Sequence, residues 1–312
     1  MSAEYDNEIL TEEAKERLLN LRAKNTKRSY NSDWNSFVAY CNSKGQEYYP
    51  ALPETIVNYM NHLAHTVKAN TISRRLTAIS EKYKEAGFAV NPAQAYVVKA
   101  TMTAIRREKG TRQEGKKPLL IEMLQEVVEI IPDTLEGYRD KALLTLGFAG
   151  AFRRSELVDI TVENITLSEK GMTVFIPRSK TDQEGQGFIK GIPYATNTVV
   201  CPVRATILWL EKSGIKNGYL FRGFKANKSL RSSRLSDQCV ALILKYRLEQ
   251  AGLDSKEYAG HSLRSGFVTT AALKGISVYG IMSQTGHATE GMVHRYIRQA
   301  DVFASNPLNE IY

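Results

Sequence analysis

The chain has 312 residues, 43% of them hydrophobic, and a formal net charge of +9. That length accommodates two domains, and that composition supports a packed core and excludes a globally disordered chain. No apolar run approaches the roughly 20 residues of a membrane-spanning helix, the start MSAEYDNEIL lacks a basic-then-apolar leader, and three scattered cysteines form neither a disulfide framework nor a zinc pattern, so a soluble, cytoplasmic protein is expected.

From the N-terminus, EYDNEILTEEAKERLLNLRAKN (residues 4–25) reads as a helix with an acidic start, suited to contact with protein. NTKRSYNSDWNSFVAYCNSKG sets Tyr30, Trp34, Phe37, Val38 and Cys41 at helical spacing, with Gly45 as the stop. LPETIVNYMNHLAHTV opens on proline and carries an apolar stripe through Ile56, Tyr59, Met60 and Leu63. Its His62 and His65 have no acidic or cysteine companion nearby and read as helix surface or core, not as metal ligands. NTISRRLTAISEKYKEAG offers Asn70 or Thr71 as a cap, continues through Ile72, Leu76, Ile79 and Tyr83, and ends at Gly87. PAQAYVVKATMTAIRREKG is a further helix, so residues 1–108 read as an all-helical domain. KGTRQEGKKP, polar, with two glycines and a closing proline, reads as a linker over 109–118.

Positive charge concentrates between Thr66 and Pro118, where twelve Lys/Arg, including Arg74, Arg75, Arg106, Arg107, Lys116 and Lys117, face four acids. Such a stretch suits a polyanion, because neutralising phosphates releases counterions; a solvated surface has the same composition.

Residues 119–312 begin helical and then change period. GMTVFIPRSKTDQEGQGFIKGIPY holds a β-rich run from Met172 to Ile176, a polar turn, and a second run from Phe188 to Pro193, which predicts an antiparallel hairpin. From PVRATILWLEKSG onward the pattern is helical again. The expected fold is mainly α with a small antiparallel sheet.

Several residues in this half carry chemistry. Arg153 and Arg154 of GAFRRSELVDI sit inside an otherwise apolar helical region and need an anionic partner, either Glu156 or Asp159 within the chain or an external anion. Lys180 lies in the turn of the hairpin, where a lysine is ordinarily solvated. Three of only five histidines fall in YAGHSLRSGFVTT and TGHATEGMVHRYIRQAD. His261 and Arg264 share a helix face at i, i+3, pairing a proton exchanger with a fork of donors suited to phosphate. His287 follows Gly286, and Tyr296 stands nine residues further on.

In this order, Arg-x-Ser-Glu-Leu, a hairpin lysine, Gly-His-x-Leu-Arg, Gly-His and a tyrosine, the set resembles the tyrosine recombinases, the phage integrase family, over residues 119–300. NTKRSYNSDWNSFVAYC is similar, less specifically, to the family's core-binding domain. The layout looks most like Cre, as does GHSLRSG running on to KGISVYGIM, although Cre carries tryptophan where His287 stands here.

The resemblance implies a site-specific DNA recombinase whose two domains clamp DNA, which joins strands through a 3′-phosphotyrosine and uses neither ATP nor metal. It implies Tyr296 as nucleophile, Arg153 and Arg264 on the non-bridging oxygens, and His287 as one more donor. His261 would assist proton transfer at the tyrosine, Lys180 would protonate the leaving 5′ oxygen, and Glu156 would orient a member of the set. Arg153 is selected over Arg154 because the family places arginine two residues before Ser-Glu. The basic stretch would lie along DNA, positioning without specifying. Partners implied are duplex DNA with an inverted-repeat site and further copies of the chain, forming a tetramer on two sites; a bacterial protein would sit on the nucleoid. Val302, Phe303, Leu308 and Ile311 of the tail suit docking into a neighbouring protomer, or folding back in cis. The alternatives are a type IB topoisomerase or hairpin-forming resolvase, which share the nucleophile, and a sequence-specific DNA-binding protein that does not cleave.

Overall fold

The computed structural model describes residues 11, 13–14, 17, 24–111, 115–177 and 186–300, with the backbone alone for 24 and 297–300. Most of the predicted N-terminal helix, Lys180 and the tail beyond 300 lie outside the described residues. The chain divides into two compact units, Met1–Glu114 and Gly115–Tyr312.

The first unit is a helical bundle of α1 (Lys24–Ser43), α2 (Pro53–Ala64), α3 (Ala69–Glu85) and α4 (Tyr96–Lys109). The apolar stripes read from the sequence meet in its core, where Phe37, Cys41, Ile56, Tyr59, Met60, Ile72, Ile79 and Tyr83 are buried. α3 starts one residue before the predicted caps. Lys68 is extended and its carbonyl already accepts from the amides of Thr71 and Ile72, while Ala69 is buried, so packing fixes the start without a side-chain cap. His62 lies against the ring of Tyr40, with centroids 5.4 Å apart.

The second unit begins with α5 (Ile121–Glu129), α6 (Leu135–Ala149) and the short α7 (Arg154–Asp159). The antiparallel sheet β1 (Ile165–Ser168), β2 (Gly171–Ile176) and β3 (Phe188–Pro193) follows in that order. The β2–β3 register pairs Met172 with Ile192 and Val174 with Lys190. Then come α8 (Pro202–Ser213), β4 (Arg222–Phe224), β5 (Leu230–Arg234), α9 (Asp237–Gln250), α10 (Ser262–Leu273), α11 (Val278–Thr285) and α12 (Glu290–Ala300).

The β4–β5 hairpin replaces helix expected after α8. Gly214 ends α8 in the left-handed region (φ +66), and the polar run between Arg222 and Arg234 has no apolar stripe with which to dock a helix. Lys116 and Lys117 near the end of the predicted linker are held by the second unit: Lys117 N–H donates to Glu257 O (2.9 Å) and Lys116 Nζ to Lys256 O (2.6 Å).

Two helices run through the core. α6 is buried from Ala142 to Phe148, and Asp140 on it accepts from Arg139 and from Arg247 of α9, so buried charge is neutralised where two helices meet. α10 is buried from Ser262 to Ser265, and a Cβ at Gly266 would stand 1.8 Å from Leu119 O, so only glycine lets the helix close on the chain entering the unit. Both helices end or begin at the same place, and the predicted chemistry gathers there.

Candidate active site

Between α6 and α7 the chain breaks at Gly150–Arg153. Arg153 precedes α7 in an extended conformation (φ −68, ψ 150), so it is not inside a helix as its neighbours suggested. The last carbonyls of α6 lack helical partners and form the negative end of a helix dipole. Three side chains from elsewhere satisfy them. Gln284 Nε2 donates to Ala149 O (2.9 Å), Lys190 Nζ to Gly150 O (2.6 Å) and Arg264 Nη1 to Ala151 O (2.6 Å). Ala151 itself has φ +45, a conformation unusual for a residue with a Cβ.

Arg264 is 1% exposed. Burial, and after it the charge of Arg153, lowers its pKa to about 10, leaving it cationic at neutral pH. Its Nη2 is sheltered from solvent with no hydrogen-bond partner among the described residues. A buried guanidinium with a free donor is a receptor for an anion.

Glu156 fixes Arg153. One carboxylate oxygen accepts from Arg153 N–H (2.9 Å), the other from Arg153 Nη1 (2.6 Å). Within the set, Arg153 is the member that Glu156 contacts. Arg154 turns elsewhere, its Nη2 3.8 Å from Asp237 Oδ2.

The glycine before each histidine has its own cause. Gly260 lies against the Arg154 side chain, where a Cβ would come within 2.3 Å of Cδ. Gly286 caps α11 in the left-handed region (φ +67), its amide donating to Met282 O (2.8 Å), and so turns the chain out of the helix at His287. The His287 ring is buried. The Thr285 hydroxyl donates to Ile281 O (2.8 Å) and so accepts from His287 Nδ1–H (2.8 Å), leaving Nε2 unprotonated in the neutral ring. Burial first, then the charges of Arg264 and Arg153, push the His287 pKa down to about 4.

Tyr296 comes from α12, which packs Val293 against Val268 of α10 and Ile281 of α11. Its hydroxyl lies 2.7 Å from His261 Nε2. Burial raises the tyrosine pKa, against the charges of Arg264, Arg295 and Arg153. His261 shows its outer edge to solvent, yet its enclosure on the inner side, with Arg264, Arg153 and Arg154, holds its pKa below the ordinary imidazole value. At neutral pH the pair is therefore a phenol beside a neutral imidazole free to take its proton.

Four separated segments thus bring Arg153, Glu156, His261, Arg264, His287 and Tyr296 into one cluster. The sequence reading passed over Lys190, Gln284 and Thr285, which hold the cluster's backbone. For Lys190 a signal exists: strand alternation puts it on the same face as buried Ile192, while Ile189 points outward.

The basic residues singled out in the first unit divide. Arg74 pairs with Asp33 (2.8 Å) and stays half-exposed. Arg106 reaches from α4 to Ser73 Oγ (2.9 Å) on α3 and is exposed, as is Arg107. Arg75 donates to Ser36 (2.8 Å) and Tyr59 (3.0 Å) and braces the bundle itself. In the second unit Lys117 pairs with Glu257 (2.6 Å), beside the Lys116 contact.

The phage integrase family profile matches residues 120–302, which is more than half of the chain and spans every clustered residue. The chain belongs to the phage integrase family. Along 98% of its length it is 50% identical to the integrase/recombinase xerD homolog of Selenomonas ruminantium, 91% of which is covered. It is also 25% identical to the recombinase cre of Escherichia phage P1, over 85% of this chain and 81% of that protein. Among solved structures, its fold is similar to that of XerH bound to a palindromic difH substrate (TM-score 0.60, 15% identity, 83% of this chain and 71% of that one). It is similar too to a lambda integrase dimer bound to a COC′ core site (TM-score 0.61, 14% identity, 91% and 74%). The chain is a tyrosine recombinase, an enzyme whose partner is DNA.

Proposed function

We propose that this recombinase cuts DNA by in-line attack of Tyr296 Oη on a phosphodiester, in cis, within the cluster of its own chain. The 2.7 Å contact between Tyr296 Oη and His261 Nε2 carries the reading. His261 takes the phenol proton as the oxygen–phosphorus bond forms. The free 5′-hydroxyl leaves, and the 3′-phosphotyrosine keeps the diester's bond energy for rejoining, so no ATP is consumed. Arg264, through its unpaired Nη2, and Arg153, held by Glu156, take the two non-bridging oxygens and stabilise the charge that grows on them. The arginines provide this stabilisation without a metal. His287 donates from Nε2 once its ring takes a second proton, which the arriving phosphate anion favours. Lys180 protonates the leaving 5′ oxygen.

The exposed Arg74, Arg106 and Arg107 contact the DNA backbone, and the helices of the first unit read the major groove. The target is an inverted repeat, on two copies of which four protomers assemble in the cytoplasm, since exchanging two duplexes requires four strand cuts. The tail beyond Ala300 links protomers in a closed ring.

The test starts from a site selected by the protein out of randomised duplexes. On a nicked suicide version of that site, wild type gives a covalent adduct on a denaturing gel. Tyr296→Phe gives none; an adduct with Tyr296→Phe would remove the assignment.

A further inference from the structure

Lys190 takes no part in the chemistry just described, yet it is the most deeply embedded ammonium group among the described residues, 3% exposed and stacked between the rings of Phe152 (4.9 Å) and Phe188 (5.6 Å). Its Nζ donates to two carbonyls, Gly150 O (2.6 Å) and Gln284 O (2.5 Å). These are the C-terminal ends of α6 and α11, where unpaired carbonyls and the negative ends of two dipoles converge. Each carbonyl adjoins a residue that orients a donor of the site. Ala151, next to Gly150, accepts from Arg264. Thr285, next to Gln284, accepts from His287.

We propose that Lys190 is a positioning residue that ties the ends of α6 and α11 together, so that Arg264 and His287 meet one phosphate at a fixed separation. Two donated bonds are what even an uncharged amine can give, so the tie holds on either side of the lysine's proton loss, which burial and the charge of Arg264 bring down to about 7. Loss of Lys190 leaves the DNA-binding surface intact and loosens the groups around the scissile phosphate. The proposal rests on the reading of Arg264 and His287 as phosphate-binding groups.

Lys190→Met, of similar length and without a donor, tests it beside wild type and Arg264→Gln. Thermal melting, gel-shift affinity for a half-site, and single-turnover adduct formation are measured, the last on an ordinary substrate and on one with a 5′-thiolate leaving group. The nitrogen-15 signals of the His287 ring are recorded as well. The expected result is cooperative melting, unchanged half-site affinity, a shifted His287 ring signal, and adduct formation slowed about a hundredfold on both substrates, the scale of a misplacement near 1 Å. Wild-type rates with Lys190→Met, while Arg264→Gln is inactive, overturn the proposal and leave the phosphate site standing. Recovery on the thiolate substrate overturns it differently, making Lys190 a proton donor. Wild-type rates with Arg264→Gln remove the phosphate-site reading and the proposal with it. Should Lys190→Met fail to fold, Lys190→Gln, which restores an amide donor, is read by the same criteria. If neither folds, the residue serves the fold alone and the proposal fails.

Discussion

Glu156 offers a sharp test of the cradle because its two oxygens are both committed to one arginine. Oε2 accepts from the Arg153 amide and Oε1 from the Arg153 guanidinium, at 2.9 and 2.6 Å, in a side chain 6% exposed. Glu156→Gln keeps the shape and supplies only one acceptor. Whichever way the amide turns, its NH2 faces a donor, and one half-buried N–H of Arg153 loses its partner. A hydrogen bond to a charged group contributes about 1.5–3 kcal/mol and an unsatisfied buried donor costs about 1–3 kcal/mol. At about 2–4 °C per kcal/mol for a unit of this size, a loss of about 1–3 kcal/mol lowers the melting temperature by about 2–12 °C. The guanidinium, no longer held, moves out of register with the phosphate, and adduct formation slows by about a hundredfold. DNA affinity moves the other way or not at all, because a negative charge has been removed beside the phosphate site. Differential scanning calorimetry, half-site gel shifts and single-turnover cleavage separate the three quantities. A Glu156→Gln protein that melts within about 1 °C of wild type and cleaves at the same rate would show that the Arg153–Glu156 pair does not hold the cradle.

Lys180→Ala should cleave poorly on an ordinary substrate and recover with a 5′-thiolate leaving group, which needs no proton; equal defects on both count against the lysine as acid. The His261 pKa lies below the ordinary value of about 6.5, so cleavage should be level from neutral pH down to that region and fall as the ring protonates below it. His261→Gln should cleave more slowly and lose that acid limb, and a wild-type rate rising toward acid would contradict His261 as proton acceptor. His287 links stability to pH in the same direction. Its ring protonates at about 4 in the folded protein against about 6.5 unfolded, so stability is full above about 6.5 and declines through that window as pH falls, by about 3 kcal/mol at most. Denaturant melts of wild type and His287→Gln at pH 7 and pH 4 check this, and equal acid losses in the two proteins would assign the decline elsewhere.

Much of this protein is determined by sequence alone, where a property depends on near neighbours. The stripes through Phe37, Tyr59 and Ile79 fix helices because 3.6-residue periodicity repeats within a few turns. The hairpin of β2 and β3 follows from two β-rich runs about a polar turn. The order of Arg153, His261, Arg264, His287 and Tyr296 carries the resemblance to the family, since it lies in residue type and spacing along the chain. Tertiary structure decided the rest. The β4–β5 hairpin has only three and five residues in its strands, too few for a period to stand out. That Arg153 stands outside a helix depends on where α6 runs out of partners, and its unpaired carbonyls are met by Gln284, Lys190 and Arg264 from 40 to 135 positions away. A lysine in a strand reads as surface until the sheet packs. Only then does Lys190 prove to be inside, because the ends of two helices arrive there with carbonyls that need donors, and no local pattern records where two helices will end.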